Sequence, residues 1–122
     1  LVSWITRTLG VKSSRSKLRK EEFGLIIVDL RDVVDGPNDP MDIIKTFNKV
    51  LTVAAVGRKS NVKVVLQCEA GISRSCAFVA AIFVHANDME WDDAIDFVKK
   101  KVPECQMNLE LIDSIKEALE RV

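Results

Sequence analysis

The chain has 122 residues, 48% of them hydrophobic, and its eighteen lysines and arginines balance eighteen aspartates and glutamates. That length and hydrophobic share predict one compact domain over residues 1–122, with a single core and little room for a second. The neutral balance argues against the basic face of a nucleic-acid or membrane binder, so no nucleic-acid and no membrane partner is expected. Cys68, Cys76 and Cys105 are odd in number and lack C-x-x-C spacing, and His85 is the lone histidine, so neither a disulfide framework nor a zinc site is expected. No basic leader with an apolar stretch opens the chain, and the apolar run from Cys76 to Ala86 is too short to span a bilayer. The expectation is a soluble, cytoplasmic monomer.

The first candidate element, SWITRTLGV, sets Trp4, Ile5 and Leu9 in an edge strand or a bent hairpin. SKLRKEEF reads as a short helix. LIIVDL (Leu25 to Leu30) and VKVVLQ (Val62 to Gln67) are continuous rather than alternating, which predicts central strands buried on both faces. Between them MDIIKTFNKVLTVAAV follows the start signal Pro40 and spaces Ile43, Ile44, Phe47, Val50, Leu51 and Ala54 as a helix covering one sheet face. RSCAFVAAIFVHAND is apolar nearly all round, as a buried central helix is. Asn87 or Asp88 is expected to cap the next helix, MEWDDAIDFVKKK, whose lysines fall in the last turn, where the helix dipole favours them, before Pro103 ends it. Asn108 is expected to cap LELIDSIKEALERV, with Ile112, Ile115 and Leu119 on one face. Helices interleaved with apolar strands predict an α/β fold, a small central mostly parallel sheet flanked by helices.

The chemistry gathers in VVLQCEAGISRSCAFVAAIFV, Val64 to Val84. A strand that ends, turns at Gly71 and feeds a helix near Arg74 aims backbone N–H groups and a positive helix end at one point, which is an anion site. Cys68 at the rim of that nest has its thiolate, the reactive form, stabilised by the same dipoles and by Arg74. The guanidinium of Arg74 can grip two phosphoryl oxygens in a fork that a lysine cannot reproduce. Ser73 and Ser75 add hydroxyls, and Ser75 is placed to hydrogen-bond the thiolate as it leaves.

In these residues the chain resembles the cysteine-dependent protein phosphatases, whose signature is H-C-x5-R. It is most similar to the dual-specificity branch in its small archaeal- and bacterial-like form, where the stretch takes the form H-C-x-x-G-x-S-R-S; here it reads QCEAGISRS. WITRTLGV is similar to the family's N-terminal segment, VDLRDVVDGPNDP to its general-acid loop, and VPECQMNLELI to its closing proline, asparagine and helix. The resemblance implies a single catalytic domain with a phosphate loop between a central strand and a buried helix. It implies hydrolysis of phosphotyrosine, and of phosphoserine or phosphothreonine, in phosphorylated proteins or peptides through a cysteinyl-phosphate, with no cofactor and no metal. Cys68 is then the nucleophile, and Glu69, Ala70, Gly71, Ile72, Ser73, Arg74 and Ser75 form the substrate-binding loop. An aspartate of the acid loop protonates the leaving oxygen and then activates water. Asp35, just before Gly36 and Pro37, has the family's usual spacing to Cys68 and is favoured. Asp32, which continues the strand register after Val28 and Leu30, stands beside it, and Asp39 is next in reach.

Two departures stand out. Gln67 occupies the place of the family's histidine, which helps to organise the loop and to acidify the thiol; glutamine can hydrogen-bond but carries no charge. The chain also runs from LIIVDL straight into the acid loop, where the family has a further strand. Gln67 motivates an alternative function, a catalytically weak phosphate-binding module. A preference for highly anionic substrates ranks lowest, because Glu69 and Ile72 stand where relatives with such substrates carry lysines. Cys76 and Cys105 read as core packing, with a resolving thiol for oxidised Cys68 the alternative. His85 reads as a core or surface residue, too far along its helix to touch a substrate.

Overall fold

The structure, a computed structural model, describes residues 1–20, 24–69 and 72–120. Its elements are β1 (Ser3–Trp4), β2 (Leu9–Ser13), β3 (Ile26–Asp29), α1 (Pro40–Ser60), β4 (Val64–Cys68), α2 (Ser73–Ala86), α3 (Trp91–Lys101) and α4 (Leu109–Glu120). The sheet has the order β1-β2-β4-β3. β1 runs antiparallel to β2, while β2 and β3 both run parallel to β4. This is the α/β arrangement expected, and the opening segment forms a bent hairpin. Its turn is closed by Ile5 and Thr6 N–H groups donating to the carbonyl of Leu9, and by Thr6 Oγ1 accepting from the Leu9 N–H at 3.0 Å.

β4 is central, with Val64, Val65 and Leu66 wholly buried. β3 corrects the expectation of a second central strand: it lies at the sheet edge, and Ile26 and Ile27 are 38% and 42% exposed. A continuous apolar run looks the same on either kind of strand. Only Val28 and Leu30 reach the core, because no strand among the described residues pairs with the outer side of β3. The expected helix over SKLRKEEF is also corrected in part. Residues 17–19 are irregular, Leu18 being the single apolar side chain there and too little to dock a short helix, and residues 21–23 lie outside the described residues.

α1 begins as expected. Asp39 caps it by accepting from the Met41 N–H at 2.8 Å, and Pro40 occupies the first turn. The helix ends at Asn61 in the left-handed region, and its inner face carries Ile43, Phe47 and Val50. α2 is the buried helix, packed against α1, α3, α4, β2 and β4. Every residue from Ser75 to Ile82 is buried, so no polar face was available for it to expose. The capping expectation for α3 does not hold. Asn87 closes α2 instead, Asp88 takes φ 54°, and Glu90 precedes α3 without a capping side-chain bond. α4 is capped as expected, by Asn108 Oδ1 accepting from Glu110 N–H at 2.8 Å and Leu111 N–H at 3.3 Å. Residues 121–122 of the last expected helix lie outside the described residues.

Three parallel strands thus stop along one edge of the sheet, at Ser13, Cys68 and Asp29, and α2 starts there with its positive end.

Candidate active site

Cys68 is the last residue of β4 and is 1% exposed. Its carbonyl accepts from Ser14 N–H at 2.6 Å, and the carbonyl of Gln67 accepts from Leu30 N–H at 2.7 Å, so both neighbouring strands hold the strand end. The thiol Sγ lies 3.7 Å from the carbonyl oxygen of Glu69. Ala70 and Gly71, the tip of the expected loop, lie outside the described residues. The chain resumes at Ile72 with φ 43° and ψ 30°, a left-handed conformation that β-branched residues rarely adopt. That turn lets the Ile72 carbonyl accept from Cys76 N–H while α2 begins at Ser73.

Arg74 is reached by the loop that follows β3. Its Nη1 donates to the carbonyls of Arg31 at 3.1 Å and Val33 at 2.8 Å. These bonds use one nitrogen, and the Nε and Nη2 edge of the fork, the pair suited to two phosphoryl oxygens, makes no hydrogen bond among the described residues. Ser75 Oγ is fully buried and has no partner among the described residues. A buried hydroxyl left unpaired costs about 1–3 kcal/mol.

The two candidate acids part company. Asp35 Oδ1 accepts from the Ser73 hydroxyl at 2.8 Å, and its backbone carbonyl accepts from Asn108 Nδ2 at 2.8 Å. Ser73 Oγ in turn accepts from the Asn108 N–H at 2.8 Å. Asp32 is exposed on the turn after β3, and no hydrogen bond joins it to the loop among the described residues. Asp39 is committed to capping α1. Asn38 stiffens the same loop, accepting from Val34 N–H and donating to the carbonyls of Val34 and Gly36.

Behind Cys68, Gln67 accepts a hydrogen bond from Lys12 Nζ at 2.7 Å and lies in register with Asp29 on its other side. Arg31 forms a forked ion pair with Asp29 at 2.6 Å, and that pairing holds the Asp29 carboxyl down at about 2. Cys76 and Cys105 are both buried free thiols; the neighbouring Cys105 thiol and burial push the Cys76 thiol far up. His85 is exposed, its ring edge-on to Phe47 at 5.3 Å. A cavity of about 400 Å³ opens between Leu9, Arg58 and Phe83, at the opposite end of α2 from Cys68.

Sequence reasoning missed three of these features: Lys12, the Ser73–Asp35 bond, and the second role of Asn108. Lys12 left a trace, a single charge inside the otherwise uncharged strand LGVKS.

Residues 4–121 match the family described as dual specificity phosphatase, catalytic domain. The chain belongs to that family. Human DUSP28 shares its fold with a TM-score of 0.80 at 17% identity, over 99% of this chain and 96% of that one. The human tyrosine phosphatase-like serine/threonine/tyrosine-interacting protein superposes with a TM-score of 0.74 at 20% identity, over 98% and 96% of the two chains. A protein of Invertebrate iridescent virus 6 with a provisional tyrosine-phosphatase name, 123R, is 34% identical over 64 residues, 52% of this chain and 45% of its own length. The match therefore spans about half of that viral protein's length. No helix among the described residues is long and apolar enough to cross a membrane.

Proposed function

We propose that the chain is a protein phosphatase that hydrolyses phosphotyrosine, and phosphoserine or phosphothreonine, through a cysteinyl-phosphate. The observation that carries this reading is the joining of two loops. Arg74 donates to the carbonyls of Arg31 and Val33, and Ser73 donates to Asp35, so a candidate acid is tied to the helix start beside the cysteine.

In the first step the Cys68 thiolate attacks phosphorus, the bond from phosphorus to the leaving oxygen breaks, and Asp35 gives that oxygen its proton. The Nε and Nη2 edge of Arg74 and the N–H groups at the start of α2 hold the equatorial oxygens. In the second step Asp35, now a carboxylate, takes a proton from water as it attacks phosphorus, and the sulfur–phosphorus bond breaks. The departing sulfur leaves as thiolate, and the orphaned Ser75 hydroxyl is the donor that meets it.

The test is turnover of an aryl phosphate by the wild-type chain, inhibited by vanadate and unaffected by chelators. Cys68→Ser should abolish turnover while still binding oxyanions. Activity that survives Cys68→Ser, or that chelation removes and metal restores, refutes the covalent route. A panel of phosphotyrosine, phosphoserine and phosphothreonine peptides and phosphoinositides assigns the substrate class. Gln67 favours one second reading, a phosphate-binding module: oxyanion binding without turnover of any of these substrates establishes it instead.

A further inference from the structure

Lys12 is a lysine at the penultimate position of β2, and it is only 5% exposed. Removing an ammonium from water is costly unless hydrogen bonds replace the lost solvent. Its Nζ donates to Gln67 Oε1 at 2.7 Å and to the carbonyl of Ser13 at 2.8 Å. Both partners frame the nucleophile: Gln67 precedes Cys68 in the chain, and Ser13 faces Cys68 in the register of β2 with β4. Gln67 is also in register with Asp29 on β3. Lys12, Gln67 and Asp29 therefore form one row across three parallel strands at the level where β4 ends. Successive side chains of a strand point to opposite faces. Lys12 thus sits behind Cys68 and reaches it only through Gln67 and the backbone.

We propose that Lys12 is a positioning residue for Cys68: it clamps the end of β4 through Gln67 and Ser13, and its ammonium places beneath the loop the positive charge that a neutral glutamine does not carry. This rests on the phosphatase reading for its purpose, since a fixed cation near the sulfur favours the thiolate. Among the described residues, the charged and titratable groups on the elements around Cys68 are Lys12 from β2, Asp29 and Arg31 at the end of β3, Asp35 from the loop after it, Glu69 beside the cysteine, and Arg74 and Cys76 from α2. Asp29 and Arg31 pair with each other, Glu69 carries the opposing sign, and the Cys76 thiol is held neutral. Arg74 works from the substrate side, and Lys12 from behind the sheet.

Lys12→Gln keeps a hydrogen-bonding side chain and removes the charge. With the site of labelling read by peptide mass spectrometry, which separates Cys68 from Cys76 and Cys105, iodoacetamide should alkylate Cys68 about threefold or more slowly at pH 6 in this variant. The midpoint of its alkylation–pH curve should move up, and Lys12→Arg should restore the wild-type curve. A Lys12→Gln curve that overlies the wild type overturns the proposal and leaves Lys12 a structural residue. Where Lys12→Gln does not fold, Gln67→Leu carries the test: it removes the side-chain acceptor through which Lys12 holds the end of β4 and adds no ionisable group, so the midpoint should again move up, and an unmoved midpoint overturns the proposal. Alkylation needs no turnover, so this failure is distinct from that of the phosphatase reading, which appears as absent aryl phosphate hydrolysis in the wild type.

Discussion

The hydroxyl of Ser73 donates to Oδ1 of Asp35 across 2.8 Å, joining the first residue of the buried helix to a loop 38 residues earlier. That bond distinguishes Asp35 from Asp32, and the distinction has a kinetic signature. A general acid matters most when the leaving oxygen is poor. Asp35→Asn should lower kcat/KM on phosphotyrosine about 100-fold or more, and less on para-nitrophenyl phosphate, whose phenol leaves readily. Asp32→Asn should change both substrates equally and modestly. The comparison of the two substrates in the two variants decides; a leaving-group-dependent loss in Asp32→Asn alone reverses the assignment.

Asn108 has two jobs that can be separated. Its Oδ1 caps α4 and its Nδ2 holds the Asp35 carbonyl. Asn108→Asp keeps a good cap and loses the donor, so it should unfold within about 1 kcal/mol of the wild type while kcat falls. Asn108→Ala loses both and should cost about 1–2 kcal/mol as well as activity. Urea denaturation and steady-state rates on the same samples test the separation, and equal stability in the two variants would show that the cap contributes nothing.

Arg74→Lys preserves charge and discards the fork. Lysine cannot both reach the Arg31 and Val33 carbonyls and present a paired edge to phosphate. We expect kcat/KM to drop about 100-fold, as for the loss of an oxyanion donor. Near wild-type kinetics would rule out paired binding.

Gly57→Ala offers a contest between two effects. Alanine is favoured over glycine in a helix by about 1 kcal/mol. An added Cβ at Gly57, however, would stand 2.5 Å from Val64 Cγ2 and 2.7 Å from the Val62 carbonyl, both set by the start of β4. Overpacking against backbone costs about 1–3 kcal/mol, so the net change should be destabilising. Thermal unfolding measures it, and a raised Tm would show that β4 gives way easily.

Asp29 predicts an acid-side effect with a defined sign. Its carboxyl is held down at about 2 by Arg31, below the ordinary aspartate value. A depressed folded value means a stabilising contribution that is complete above the unfolded value near 4 and is lost as pH falls through about 2. Both side chains are more than 40% exposed, so solvent and salt screen the pair and the effect is small. In Asp29→Asn the Tm–pH curve should be flatter between about pH 4 and 2 than in the wild type. Identical slopes would remove the Asp29–Arg31 pair from the acid stability of the fold.

What the sequence alone determined is what depends on neighbours along the chain. Apolar spacing located α1, α2 and α4, Asn108 announced a helix start, and QCEAGISRS marked the junction of β4 and α2 as the candidate phosphate site, because capping, periodicity and loop chemistry act over a few residues. Tertiary structure alone decided what depends on which strand lies beside which. β3 became an edge strand because nothing among the described residues pairs with its outer side, a fact that LIIVDL cannot express. The cap of α3 also escaped, since Asn87 was taken up in closing α2 and the chain needed Asp88 in a left-handed turn. Lys12 met Gln67 across 55 positions, and Asp35 met Ser73 across 38, only when parallel registry and the buried helix brought those strand and helix ends to one edge. A glutamine before Cys68 reads as a missing charge in one dimension; in three, a lysine from the next strand donates to it.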